Sequence, residues 1–209
     1  YEVSVRRGNG VQTASLPLPR LPMPSVAAAL QVMALYQRDF NVADGGRYCE
    51  NLSLAGRYES LQHRGVSFIL DVAHNPAATR LLAETVAKRK HAPVFAVVAM
   101  MADKDIDEAL RPLLPHVAHW VVCACEGVAR SAHATDVARS LRGQGIADDC
   151  ITVCHTVEEA LAYCIEHAEP SGIVHNKNTA NTTLVFGSFY TVAAAKTYLQ
   201  PETTPSESN

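Results

Sequence analysis

"ILDVAHNP", residues 69–76, decides how this chain is read. The apolar run from Val66 to Leu70 is extended and stops on an acid, Asp71. From Pro76 to about Lys90 the period changes, with Ala78, Leu81, Leu82 and Val86 on one helical face and Arg80, Glu84 and Lys88 on another. Asn75 suits the N-cap and Pro76 the first helical position. The stretch is therefore a buried strand running through a short turn into a helix. A carboxylate at the end of such a strand must find donors or a ligand, and ribose hydroxyls would supply them. His74 lies in the turn, next to the positive end of a helix dipole that suits an anion.

The same succession recurs downstream. Tyr58–Leu61 and Val66–Leu70 are extended around "QHRG". "VFAVVAM" (94–100), "HWVVCAC" (119–125), "CITVC" (150–154) and "TTLVFG" (182–187) read as further strands, rich in apolar residues. Helices are expected at Asp105–Leu114, His133–Arg142, Val157–His167 after the cap Thr156, and Phe189–Leu199. Buried strands alternating with helices predict an α/β fold, a doubly wound, mostly parallel sheet over residues 57–200, with its ligand outside the carboxyl ends of the strands. Upstream, Tyr1–Arg7 is strand-like. The prolines of "LPLPRLPMP" (16–24) predict extended backbone, and Ser25 is placed as the cap of a helix, "VAAALQVMALYQ", burying Val26, Leu30, Met33 and Leu35. A linker is expected over 46–56 and a disordered tail over 201–209.

Composition narrows the function classes. A net charge of −3 gives no electrostatic case for nucleic acid or for an acidic membrane as partner. The longest nearly unbroken apolar run, Ala92–Ala102, is too short to span a bilayer. The six cysteines include no C-x2-C pair, so buried thiols are favoured over a zinc site, and a cytoplasmic, monomeric protein is expected. The absence of an initial methionine suggests part of something longer.

Other strand ends carry polar residues. "MMADKD" (100–105) places Asp103, Lys104 and Asp105 after the third run, where a capped helix with a solvated charge pair is the plain reading. "EGVARSA" (126–132) adds Arg130. In "VFGSFYT" (185–191), Gly187 permits close backbone approach, and Ser188 suits either a cap or an anion.

"LAGRYES" (54–60), "ILDVAHNPAA" (69–78), "MADKD" (101–105) and "VFGSFYTVA" (185–193), in this order and spacing, resemble the carboxy-terminal part of bacterial folylpolyglutamate synthase/dihydrofolate synthases, the folate branch of the Mur-ligase superfamily. "LPLPRLPMPSVAAAL" (16–30) resembles the end of that family's central ATPase domain, which assigns residues 1–45 to it and 57–200 to the glutamate-ligase domain. The resemblance implies an ATP-dependent ligase that activates dihydropteroate or a folate as an acyl phosphate and joins it to L-glutamate. It implies Arg57 at the nucleotide phosphates, Asp71 and Ser25 as nucleotide contacts, His74 near the transferred phosphate and the glutamate, and Ser188 near the glutamate; His74 and Arg57 are the implied catalytic pair. Ser25 departs from the asparagine common there, and Arg130 lacks the proline common before it. A muramyl-peptide ligase shares the fold and chemistry, and a stand-alone nucleotide-binding module is the reading from another class. No G-x-x-x-x-G-K-[ST] loop and no Mg2+-binding set is evident; the family carries both in its amino-terminal ATPase domain, the expected partner of this chain, so the isolated fragment is expected to be inactive.

Overall fold

The computed structural model describes residues 1–17, 19, 21–50, 52–88, 95–168 and 182–200. The chain divides into two compact units, Tyr1–Tyr58 and Glu59–Asn209. The expected tail, 201–209, and the last residues of the helix expected to reach Lys90 lie outside the described residues.

In the first unit, β1 (Glu2–Arg7) and β2 (Gly10–Ser15) form an antiparallel hairpin, with α1 (Met23–Tyr36) and α2 (Val42–Glu50) following. Its core joins Val3 and Val5 of β1 to Leu16, Val26, Leu30, Ala34 and Val42. Three sequence expectations fail here. Helix α1 begins two residues before Ser25, after Pro22, so Ser25 does not cap it and lies exposed within its first turn. The reason is Pro24, whose fixed φ and missing N–H are tolerated in a first turn, where extended backbone had been expected. The buried stripe of α1 is Val26, Leu30 and Ala34, while Met33 and Leu35 are 44% and 62% exposed. Residues 46–50, expected as linker, belong to α2, which Asn41 caps by accepting from the Ala43 amide at 2.8 Å.

The second unit is built on a six-stranded sheet of β3 (Glu59–His63), β4 (Val66–Asp71), β5 (Phe95–Val98), β6 (His119–Val122), β7 (Ile151–Val153) and β8 (Thr182–Phe186). The order is β3-β4-β8-β5-β6-β7, parallel except for the edge hairpin β3–β4. Helices α3 (Pro76–Lys88), α4 (Ile106–Leu110), α5 (Ala134–Gly143), α6 (Val157–His167) and α7 (Phe189–Leu199) complete it. The expected doubly wound α/β fold is present. Connections through α3, α4 and α5 advance along the sheet and the one through α6 returns, so right-handed crossovers place them on opposite faces.

Strand alternation supplies both cores. Phe68, Leu70, Val97, Val121 and Val185 join Leu161 of α6 and Val192 and Leu199 of α7. The intervening Ile69, Val98, Trp120, Leu184 and Phe186 are equally buried, with Trp120 and Phe186 in edge-to-face contact at 6.4 Å. The helix expected over Asp105–Leu114 is short, because Pro112 and Pro115 turn its second half into a 3-10 segment, Arg111–His116. No helix among the described residues is long and apolar enough to cross a membrane.

Candidate functional site

The parallel register brings three strand ends level. Asp71 of β4 stands beside Phe186 of β8, which has Val98 of β5 on its other side. The loops leaving these strands therefore start from one line.

In the β4–α3 turn, Asp71 is half-buried and accepts from the Ala73 amide at 2.8 Å. Asn75 accepts from the Ala78 amide at 2.9 Å, and Thr79, fully buried, donates its hydroxyl back to the Asn75 carbonyl at 3.0 Å. Capping chemistry thus fixes the helix start as the sequence indicates. His74 is half-buried, with Nδ1 2.8 Å from the Val72 carbonyl. A carbonyl only accepts, so Nδ1 carries the proton and the lone pair of the neutral ring lies on Nε2.

The β5–α4 and β6–α5 loops are zipped together. The Ala102 amide donates to the Arg130 carbonyl and the Ala132 amide to the Met100 carbonyl, each at 2.8 Å, around a bridge between Met101 and Ser131. Lys104 pairs with Asp103 at 2.8 Å, and this hydrogen bond holds the Asp103 carboxyl below its ordinary value, with Arg130 adding to the effect. Asp105 caps α4 by accepting from the Glu108 amide at 3.1 Å. Lys104 and Arg130 thus share one rim.

In the β8–α7 turn, Gly187 has φ +119, and a Cβ there would collide with the Ala99 carbonyl oxygen. Ser188 caps α7, accepting from the Thr191 amide at 2.9 Å, and is 4% exposed. Of the two roles open to its hydroxyl, the cap is the one observed. Thr191, Cys125 and Ser131, which support this turn and its neighbours, escape a sequence reading. The available signal is the three-residue spacing from Ser188 to Thr191, that of a cap and the amide it accepts from.

Of the sequence-derived residues, Asp71, His74 and Ser188 belong to this rim. Ser25 and Arg57 belong to the first unit. Arg57 is half-buried, its amide donates to the Leu54 carbonyl at 3.0 Å, and it precedes Tyr58, whose φ of +49 is unusual for a bulky residue. Among the described residues no three His, Cys, Asp or Glu side chains are grouped so as to hold a metal ion.

Residues 56–189 match the family model described as Mur ligase, glutamate ligase domain, and the chain belongs to that family. It is 29% identical over 187 residues to the dihydrofolate synthase/folylpolyglutamate synthase of Buchnera aphidicola subsp. Baizongia pistaciae, covering 88% of this chain and 40% of that protein. The solved Yersinia pestis bifunctional folylpolyglutamate synthase/dihydrofolate synthase, complexed with AMPPNP and Mn ion, is similar at a TM-score of 0.72 and 30% identity, over 93% of this chain and 43% of that one. Escherichia coli FolC, solved with DHPP and ADP, is similar at a TM-score of 0.69 and 29% identity, over 88% and 40%. The chain spans about two-fifths of the length of these relatives.

Proposed function

We propose that this chain forms the glutamate-accepting part of an ATP-dependent ligase that joins L-glutamate to dihydropteroate and to folates through an acyl phosphate. One observation carries the reading: the Asp71–His74 turn stands level with the β8–α7 turn at the carboxyl edge of the sheet, in a member of the glutamate-ligase domain family. In the reaction, a carboxylate oxygen of the acid attacks the γ-phosphorus and ADP leaves. The glutamate amine then attacks the acyl carbon, phosphate leaves, and the amine loses a proton.

The residues suit these steps. His74, with Nδ1–H committed to Val72, offers Nε2 to the proton of the attacking amine. Asp71 accepts from nucleotide hydroxyls, and Arg57 spans phosphate oxygens with its planar guanidinium. Ser25, exposed on α1, is a second nucleotide contact. Ser188 shapes the turn beside the glutamate, whose carboxylates suit Lys104 and Arg130. The phosphates and an accompanying Mg2+ are held by residues of the enzyme's own ATPase domain outside this chain, in keeping with the Mn and AMPPNP of the Yersinia pestis relative. Residues 1–50, with α2 at their end, close that domain, 52–56 link it, and 57–200 are the ligase domain. Because the glutamate side is furnished by one chain, a monomer suffices. The free state of all six cysteines suits the reducing cytoplasm.

The test is glutamate-dependent ADP release by the complete enzyme containing this sequence, supplied with dihydropteroate or with a UDP-muramyl peptide. Release with dihydropteroate is expected. Turnover restricted to the muramyl substrate would overturn the folate reading.

A further inference from the structure

The β8–α7 turn is fastened from below by hydroxyls that the reaction just described does not use. Thr191 Oγ1 lies 2.7 Å from the Ala99 carbonyl oxygen and 2.7 Å from Ser188 Oγ. The carbonyl only accepts, so Thr191 donates to it and in turn accepts from the Ser188 hydroxyl. Ser188 Oγ accepts from the Thr191 amide at 2.9 Å, which commits both its proton and a lone pair. The Cys125 thiol closes the cluster, with its sulfur 3.5 Å from Thr191 Oγ1 and 3.9 Å from Ser188 Oγ. Thr191 is fully buried, and Ser188 and Cys125 are 4% and 5% exposed.

The cluster sits where three loops meet. Ala99 opens the β5–α4 loop that carries Lys104, and that loop is zipped to the β6–α5 loop that carries Arg130. The Cys125 amide donates to Ser131 Oγ at 2.9 Å, which braces the β6–α5 loop around the cysteine whose sulfur meets Thr191. One buried hydroxyl therefore joins the Ser188 turn to both cation-bearing loops.

We propose that Thr191 is a positioning residue for the glutamate half of the reaction, and that Ser188 serves glutamate through the Ser188–Thr191–Ala99 chain instead of by contact of its own hydroxyl. This rests on the ligase reading above. Valine matches threonine in shape, so Thr191→Val preserves packing while leaving the Ala99 carbonyl and the Ser188 hydroxyl unpaired. Serine at the same position keeps the hydroxyl.

In the complete enzyme, Thr191→Val should raise the KM for glutamate roughly five- to thirtyfold, with kcat and the KM for ATP within about threefold of the parent. Thr191→Ser should stay near the parent. The double variant Ser188→Ala/Thr191→Val should be no worse than its worse single, because both changes break one chain. An unmoved glutamate KM in Thr191→Val would overturn the proposal, and so would additive effects in the double, which would place the Ser188 hydroxyl on the substrate. A parent without glutamate-dependent ADP release would sink the ligase reading instead. The chain of hydroxyls is then read in the 209-residue protein. Amide hydrogen exchange at Ser188, Phe189 and Met100–Ala102 should quicken in Thr191→Val and not in Thr191→Ser, with β4 and β8 unchanged. Unchanged rim exchange, or acceleration throughout, would end it.

Discussion

Replacing Gly187 with alanine should destabilise the second unit more than its backbone angle accounts for. At φ +119 an alanine occupies a region reserved for glycine, which costs about 1–3 kcal/mol. Its Cβ also meets the Ala99 carbonyl oxygen, a backbone atom that no side-chain rotation can move away. Relief requires the ends of β5 and β8 to part, weakening the bond from the Ala99 amide to the Phe186 carbonyl, worth about 0.5–1.5 kcal/mol. The reduced freedom of the unfolded chain returns roughly 0.4–1 kcal/mol. The net loss by these terms is about 0.5–4 kcal/mol, with its centre at about 2 kcal/mol. Gly145 is the control, because its φ is +89 but nothing lies within 4 Å of the added carbon, so Gly145→Ala should cost only about 1–2 kcal/mol. Trp120 is the single tryptophan, fully buried in the second unit, so its fluorescence during urea unfolding reports that unit. With a slope of about 1–3 kcal/mol per molar, Gly187→Ala should lower the midpoint by roughly 1–2 M. A midpoint equal to the parent's, or no lower than that of Gly145→Ala, would refute the close-approach argument.

Asp71→Ala in the complete enzyme should cut kcat/KM for ligation at least about a hundredfold, while the lost bond to the Ala73 amide costs only about 0.5–1.5 kcal/mol of stability; near-normal turnover, or a large drop in melting temperature, would contradict this. His119 is held below its ordinary value of 6.5, first by burial and then by His167, with Asp149 acting in opposition. The unfolded chain therefore takes up the proton first, so the stability is fully present above pH 6.5 and is lost as pH falls toward the folded value. Urea midpoints at pH 7.5 and 5 should show the decline, and His119→Gln should lessen it. Burial pushes the Cys164 thiol up to about 12 and raises Cys123 as well, so both should resist Ellman's reagent at pH 8 until urea unfolds the protein; labelling of native Cys164 at the rate of an exposed thiol would show that the core is open.

The sequence carried the site where chemistry and local structure coincide. In the Asp71–Pro76 turn, neighbouring residues supply the strand end, cap and helix start, and short-range bonds of this kind can be read from the order of residues. Ser25 misleads because proline favours extended backbone in most settings, although one in a first turn prepares a helix. The face of α1 misled for another reason. Met33 and Leu35 are the larger apolar groups, but Ala34 lies on the stripe set by Val26 and Leu30, and helical geometry outranked size. The support of Ser188 was hidden because Thr191, Ala99 and Cys125 meet only after three separate crossovers, so no spacing in the chain links them.

The position of β8 has a consequence for how the polypeptide is made. Among the described residues it is the last strand, yet it stands between β4 and β5, with Ser67 paired to Thr182. Until residues 182–186 emerge from the ribosome, β3–β4 and β5–β6–β7 are two ribbons with open inner edges and no shared hydrogen bonds. The sheet can close only after residues 182–186 are made, through a pairing of high contact order, which slows folding and leaves strand edges exposed until then. During that interval those edges are open to pairing with other chains, and a message cut short before Thr182 would yield a product prone to aggregate.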